Sequence, residues 1–94
     1  MAHINILRAH SLGLDGARQA AEAVAARLVA EFGVRTSWTG DILRVEGRGV
    51  KGALEAQPTV VRVTASLGLV ARPFRRALHR EIVRELDRLA PLPA

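Results

Sequence analysis

Apolar residues recur along the chain with two different periods, and the first stretches predict a strand followed by a helix. In residues 3–9, Ile4 and Ile6 alternate with polar neighbours, which is typical of a strand. In residues 15–32, apolar residues fall three and four apart and predict a long helix, with Gly33 as its C-terminal cap. The stripe of this helix is rich in alanine, so the helix can pack closely against its neighbours. The stripe consists of Ala17, Ala20, Ala21, Val24, Ala25, Leu28 and Phe32.

Beyond the first helix the period changes from 3.6 to 2, which predicts four strands in an antiparallel meander. Each strand carries one apolar and one polar face, as in a sheet that is covered on one side only. Short turns at Gly40-Asp41, at residues 47–49 and at Pro58-Thr59 separate the strands. The predicted strands are residues 34–39, 42–46, 50–57 and 61–67.

A second amphipathic helix is predicted to begin at Pro73, where proline is well tolerated, and to stop before Pro91 and Pro93. The order β-α-β-β-β-β-α predicts a single α+β domain, residues 1–94. In it, a curled antiparallel sheet of four or five strands is covered by two helices. The apolar stripe of the second helix consists of Phe74, Leu78, Ile82, Leu86 and Leu89.

Composition narrows the possible functions. A chain of 94 residues buries a small core, and without cysteine it can form no disulfide, thiolate nucleophile or cysteine-based zinc site. The net charge of +5, carried by arginines apart from Lys51, favours anionic partners in general. Because the N-terminal residues lack the apolar core of a signal peptide and no run is long enough to span a membrane, we expect a protein that is soluble or at most peripheral to a surface, and the lack of cysteine suits the cytoplasm.

His10-Ser11 is the first candidate for catalysis, because it places a base beside a hydroxyl. Neighbours in an extended chain point to opposite sides, and no Gly-x-Ser-x-Gly elbow surrounds the serine. We therefore expect Ser11 to bond a free backbone amide near the start of the first helix.

Metal and nucleotide sites are also not expected. The spacing of His3, His10 and His79 matches no metal motif. The run Gly47 to Gly52 fits GxGxxG, but a strand pattern follows it where a dinucleotide site requires a helix. The sequence thus predicts no catalytic residues, no metal and no cofactor.

A row of arginines on the second helix is the strongest candidate for a partner-binding surface. It suits an anionic surface or an acidic partner, although a solvated outer face remains the other reading. Glu81 and Glu85 each precede an arginine by three residues, which is typical of exposed helical ion pairs. No nucleic-acid partner is expected, because Phe32 and Phe74 are assigned to the core and leave no stacking platform. The row consists of Arg72, Arg76, Arg80, Arg84 and Arg88.

The order of several short motifs resembles the polyhydroxyalkanoic acid system family over residues 3–90. This resemblance implies a role in making, storing or using polyhydroxyalkanoate, a bacterial carbon-reserve polyester, and a cytoplasmic location at the storage granule. It brings no catalytic residues with it. The element order also resembles a shortened helix-grip fold, the plan of START-like lipid-binding domains, which usually have more strands and a second short helix. The motifs are Arg8-x-His10-Ser11-Leu12-Gly13, Trp38-x-Gly40-Asp41, Gly49-Val50-x-Gly52, Leu67-Gly68-Leu69 and Pro73-Phe74.

Two functions follow as hypotheses. The first is a non-catalytic accessory protein that binds a granule surface or a granule protein. The second is a small domain that binds an acyl or other apolar ligand between the sheet and the last helix, lined by Val45, Leu54, Val63 and Ile82. A hydrolase or thioesterase would need a nucleophile or an activating base, and because the sequence offers neither, we expect no enzyme.

Overall fold

The computed structural model describes residues 2–89, and it confirms the predicted order of elements. The predicted helix stop at Pro91 and Pro93 lies outside the described residues. The elements are β1 (Ala2–Ala9), α1 (Gly13–Phe32), β2 (Arg35–Thr39), β3 (Ile42–Gly47), β4 (Val50–Ala56), β5 (Val60–Leu67), a 3₁₀ turn (Arg72–Phe74) and α2 (Arg75–Leu89).

All five strands form one open antiparallel sheet in the order β1-β5-β4-β3-β2. The meander supplies four neighbouring strands, and β1 adds the fifth by pairing with β5, Ile4 opposite Ala65. Strands β1 and β2 are therefore the two edges of the sheet.

The two tight hairpin turns use left-handed backbone, which suits the twist of antiparallel strands. Gly40 has φ of 60° in the β2–β3 turn, and Arg48 and Gly49 have φ of 56° and 79° in the β3–β4 turn. The GxGxxG run is thus a hairpin turn followed by strand β4. Gly52 lies so close to β5 that a Cβ there would collide with the carbonyl oxygen of Thr64.

Both helices cover the same face of the sheet, so the core is a single layer between sheet and helices. Helix α1 packs on β2 to β5 and on α2, while α2 packs on β1. The small stripe of α1, with Ala17 and Ala21 fully buried, allows this close approach. Leu78, Ile82 and Leu86 of α2 complete the core.

The predicted start of the second helix is wrong in its first turn. Pro73 and Phe74 lie in a 3₁₀ turn, and α2 begins at Arg75. A 3₁₀ turn has three residues per turn, so Phe74 falls out of phase with Leu78. Its side chain is 54% exposed and does not join the core stripe.

Helix α1 begins two residues earlier than predicted, at Gly13. Its N-cap residue, Leu12, makes no side-chain capping bond, and Asp15 lies in the first turn, where a carboxylate complements the helix dipole. At the other end, Gly33 is left-handed and its N–H donates to the carbonyl of Val29, which confirms the predicted C-cap.

Candidate functional site

The segment between β5 and α2, which we call the connector (residues 68–74), is held in place by backbone hydrogen bonds. The N–H of Gly68 donates to the carbonyl of Gly49 at 2.8 Å, and the N–H of Arg72 donates to the carbonyl of Gly68 at 2.9 Å. Ala71 is buried and anchors the segment beside Gly49. The connector is therefore an ordered part of the fold.

Although its backbone is fixed, the connector exposes large apolar side chains. Leu69 is 83% exposed and Val70 is 78% exposed, and Phe74 adds a half-exposed ring. Of the six exposed large apolar side chains among the described residues, these three lie within six consecutive positions. Clustered exposure of this kind is typical of interaction sites, whereas single exposed apolar residues need no explanation.

A groove of about 430 Å³ runs beside the connector, between the end of α1 and the start of α2. Most of its wall is apolar, and the charged side chains are those of Glu31 and Arg48. Glu31 lies 3.9 Å from Arg27, while Arg48 forms no ion pair with any other described residue. We call this space the connector groove; it is lined by Glu31, Phe32, Arg48, Val50, Val70, Ala71, Phe74 and Ala77.

All five predicted partner-binding arginines are exposed, and the structure divides them into two groups. Arg84 lies 3.4 Å from Glu81, and Arg88 lies 2.9 Å from Glu85. The remaining three, Arg72, Arg76 and Arg80, form no ion pair within residues 2–89.

Of the three unpaired arginines, Arg72 lies in the connector, and Arg76 and Arg80 lie in the first two turns of α2. Arg76 and Arg80 line a shallow hollow of about 420 Å³ together with Arg75, His79 and Val83. The Nε of Arg75 donates to the carbonyl of His3 at 3.0 Å, which ties this turn to β1. Free positive charge and exposed apolar surface therefore meet at one end of the molecule.

An ion network between the helices was not predicted. Glu85, expected on an exposed face, is only 7% exposed. Its Oε1 lies 3.5 Å from Arg27 Nε, and Arg27 Nη2 donates to Glu81 at 3.2 Å. On the helical wheel, position 85 lies next to Leu78 and Leu89 at one edge of the apolar stripe, so its carboxylate flanks that stripe, but no sequence signal shows which charge faces it from α1.

The four residues predicted to line a ligand cleft do come together. Val45, Leu54, Val63 and Ile82 surround a space of about 10 Å³, which is at the lower limit for one water molecule. All four are buried in the hydrophobic core. In this structure they fill the interior, and the larger spaces lie at the surface, in the connector groove and beside the start of α2.

His10 is buried, and both nitrogens of its ring are engaged with backbone groups. The N–H of Leu12 donates to Nδ1 at 3.0 Å, and Nε2 lies 3.1 Å from the carbonyl of Gln57, to which it donates in the matching tautomer. We expected Ser11 to bind the free amide at the start of α1. In the structure, His10 binds it instead. The ring links the end of β1 to the β4–β5 turn.

The Trp38-x-Gly40-Asp41 motif forms a clamp between α1 and the β2–β3 turn. Arg18 stacks on Trp38, 4.0 Å from the ring centre, and donates to Gly40 O at 3.0 Å and Asp41 Oδ1 at 2.8 Å. The indole N–H of Trp38 donates to Glu22. This motif therefore holds the helix on the sheet.

The described part of the chain shows neither a metal-binding cluster nor a membrane-spanning helix. Within it, no group of three or more histidine, aspartate or glutamate side chains is arranged to hold a metal ion. None of the helices described is long and apolar enough to cross a membrane.

Comparison with known proteins agrees with the resemblance seen in the motifs. A family model described as "Putative polyhydroxyalkanoic acid system protein (PHA_gran_rgn)" matches residues 4–89. No curated protein and no solved structure matches the chain. The likeness to a helix-grip fold therefore stays a prediction.

Proposed function

The chain belongs to the polyhydroxyalkanoic acid system protein family, and on this premise we propose that it is a non-catalytic accessory protein of polyhydroxyalkanoate storage that binds the granule surface. The observation that carries the proposal is the joint exposure of apolar and unpaired basic side chains at one end of the fold. We call these residues the connector surface: Leu69, Val70, Arg72, Phe74, Arg76 and Arg80.

The chemistry of the connector surface suits the boundary between water and an anionic apolar phase. Leu69 and Val70 can enter an apolar layer without disturbing the core, because their side chains have almost no contacts to lose. The long arginine side chains reach anionic groups at the boundary while their stems lie along apolar surface. A polyester particle coated with anionic lipid offers both chemistries.

The same geometry argues against binding through the apolar face of α2. Leu78, Ile82 and Leu86 are buried against the sheet, so inserting them into a surface would require the helix to leave the fold. The connector needs no such rearrangement. We therefore assign contact with the granule to the connector.

The non-catalytic part of the proposal is supported by the state of the His10 ring. Its nitrogens are both satisfied by backbone groups in a buried position, so neither is free to take a proton from a substrate. The ring has a structural use that accounts for its presence.

Co-sedimentation tests the proposal directly. Purified protein is mixed with protein-free polyhydroxyalkanoate particles coated with anionic phospholipid, and the bound fraction is measured after centrifugation. We expect the wild type to sediment with the particles and the triple variant Leu69→Ser/Val70→Ser/Phe74→Ser to remain in the supernatant.

A matched control removes three exposed apolar side chains elsewhere, as Leu7→Ser/Leu12→Ser/Val29→Ser. Thermal melts of both triple variants establish that they fold. Equal sedimentation of the connector variant and the control would overturn the proposal. Binding to native granules but not to protein-free particles would identify a granule protein as the partner instead.

The basic half of the connector surface has its own matched pair. Arg72→Gln/Arg76→Gln/Arg80→Gln removes three charges at the connector, and Arg35→Gln/Arg44→Gln/Lys51→Gln removes three on the open face of the sheet. Only the first should weaken sedimentation, and more so at low salt, because exposed charges are screened by ions. Equal losses would show that binding follows net charge alone.

A second function, binding of an acyl ligand, is favoured by one observation. The connector groove has a volume within the range of small-molecule sites and a mostly apolar wall. It lies beside the connector surface, away from the core residues that the sequence suggested.

A further inference from the structure

We infer that the connector groove binds a free hydroxyalkanoate, with its carboxylate on Arg48 and its hydrocarbon tail along Phe32, Val70 and Phe74. The choice of a hydroxy acid of the storage polyester rests on the proposed function. The existence of the site rests on the groove itself, whose walls and charged groups are described above.

The first step of the argument is the charge of Arg48. Its guanidinium borders an apolar groove and forms no ion pair with the other described residues, so it can accept a carboxylate partner with charge-assisted hydrogen bonds. The groove thus offers one cationic group and an extended apolar wall, which is the complement of a carboxylate with a short chain.

The second step is the backbone of Arg48. It has φ of 56° in a two-residue hairpin turn, a conformation that costs L-amino acids free energy and that asparagine or glycine adopts more easily. Strained backbone is found most often at functional sites, so the strain at Arg48 indicates that its side chain has a function at the groove.

The third step is how neighbouring backbone places the guanidinium. Arg48 lies across Gly33, where an added Cβ would come within 3.3 Å of its Nε. Gly33 is the left-handed cap of α1, and the carbonyl end of a helix attracts positive charge. The end of the helix therefore favours a guanidinium at this side of the groove.

The fourth step concerns the hydroxyl group of the ligand. Glu31 also lines the groove, and its carboxylate is an acceptor that an unsubstituted fatty acid would leave unused. A hydroxyl group can donate to it. The pair of Arg48 and Glu31 thus favours a hydroxy acid over an unsubstituted acid.

Binding is measured by titrating 3-hydroxyoctanoate into the full chain and following amide NMR shifts together with heat of binding. We expect shifts centred on the groove residues in the wild type. Methyl 3-hydroxyoctanoate, which keeps the tail and hydroxyl but lacks the charge, should bind about tenfold or more weakly, and octanoate should also bind more weakly.

Two variants test the site and leave the residues of the connector surface themselves unchanged, and of the two Arg48→Asn also keeps the apolar wall that Val70 and Phe74 share with that surface. Arg48→Asn removes the guanidinium while keeping a residue that suits the turn, and it should weaken binding about tenfold or more. Ala77→Trp should block the groove. Arg44→Gln, which removes an equal charge on the open face of the sheet, should bind as the wild type does.

The inference is overturned if 3-hydroxyoctanoate shifts no groove amides. It is also overturned if the Arg48→Asn variant binds 3-hydroxyoctanoate as tightly as the wild type does, or if the wild type binds the methyl ester as tightly as the acid. Sedimentation of the same variants separates the two proposals. Loss of ligand binding by Arg48→Asn with normal sedimentation supports both assignments. Ligand binding without any particle binding by the wild type would defeat the proposed function and leave the groove site standing.

Discussion

The two ends of the sheet are built in opposite ways. At one end, which we call the closed end, the end of β1, the β2–β3 turn, the β4–β5 turn and the start of α1 meet, and their polar groups pair with one another. At the connector end, the β3–β4 turn and the connector meet; their backbone groups are bonded, and the side chains of Leu69 and Val70 are exposed to solvent.

The difference shows how a small domain can separate stability from recognition. Side chains of the closed end are used within the fold: His10 bonds two distant backbone segments, and Arg8 lies 2.7 Å from Asp87. Those of the connector end contribute little to the fold, which leaves them available for a partner. Changes at the closed end should therefore reduce stability, and changes at the connector end should alter binding.

The largest effect is expected at His10. Replacing it as His10→Leu leaves the N–H of Leu12 and the carbonyl of Gln57 without their partner in a partly buried place, which should lower the free energy of unfolding by about 2–4 kcal/mol. Urea denaturation measures the change. His79→Leu, at an exposed position, should stay within about 0.5 kcal/mol of the wild type.

The next effect concerns the ion network that joins the helices. Glu85→Ala removes the carboxylate that pairs with Arg88 and one of those that pair with Arg27, and it should cost about 1–3 kcal/mol, less than a fully buried pair because Arg27 is partly exposed and keeps Glu81. The double variant Arg27→Met/Glu85→Leu should recover most of the loss, as a double-mutant cycle by urea denaturation will show. A double variant no more stable than Glu85→Ala would contradict this view.

A smaller effect is expected from the clamp at the β2–β3 turn. Arg18→Gln removes the stacking on Trp38 and the bonds to Gly40 and Asp41, which together should be worth about 1 kcal/mol at this largely exposed site. Thermal unfolding measures it. Arg62→Gln removes a long ion pair elsewhere on the surface and serves as the comparison, with almost no change expected.

The smallest effect on stability is expected at the connector. Leu69→Ser/Val70→Ser should change the free energy of unfolding by no more than about 0.5 kcal/mol, because both side chains are solvated already. Urea denaturation is again the measurement. A loss as large as that of His10→Leu would erase the contrast between the two ends.

The elements of the fold were predictable because each periodic segment carries its own signal. The alanine stripe of α1 and the inward row of β5, with Val61, Val63 and Leu67, lie where the pattern placed them. Phe74 was wrongly assigned to the apolar stripe of α2, because the helical spacing was extended back as far as Pro73. In the structure Pro73 and Phe74 form a turn with different geometry. A 3₁₀ turn cannot be told from a first helical turn by spacing alone.

The candidate site was predictable only in part. The arginine row was visible, but which of its members are neutralised depends on Glu81 and Glu85, and so on which side of α2 meets α1. The role of His10 depends on Gln57, far along the chain. Leu69 and Val70 lie between β5 and the 3₁₀ turn, outside any segment with a helical or strand period. The period of apolar residues therefore gave no reason to single them out.

The pairing of β1 with β5 has a consequence for how the protein folds during synthesis. Strand β1 is synthesised before the other four strands and can pair only after β5 has been made, whereas the meander closes one hairpin at a time between strands that are neighbours in sequence. Until β5 has been made, Ile4 and Ile6 are not packed into the sheet, so an apolar, aggregation-prone segment is exposed during synthesis. Of the five strands, β1 therefore remains unpaired for the longest time.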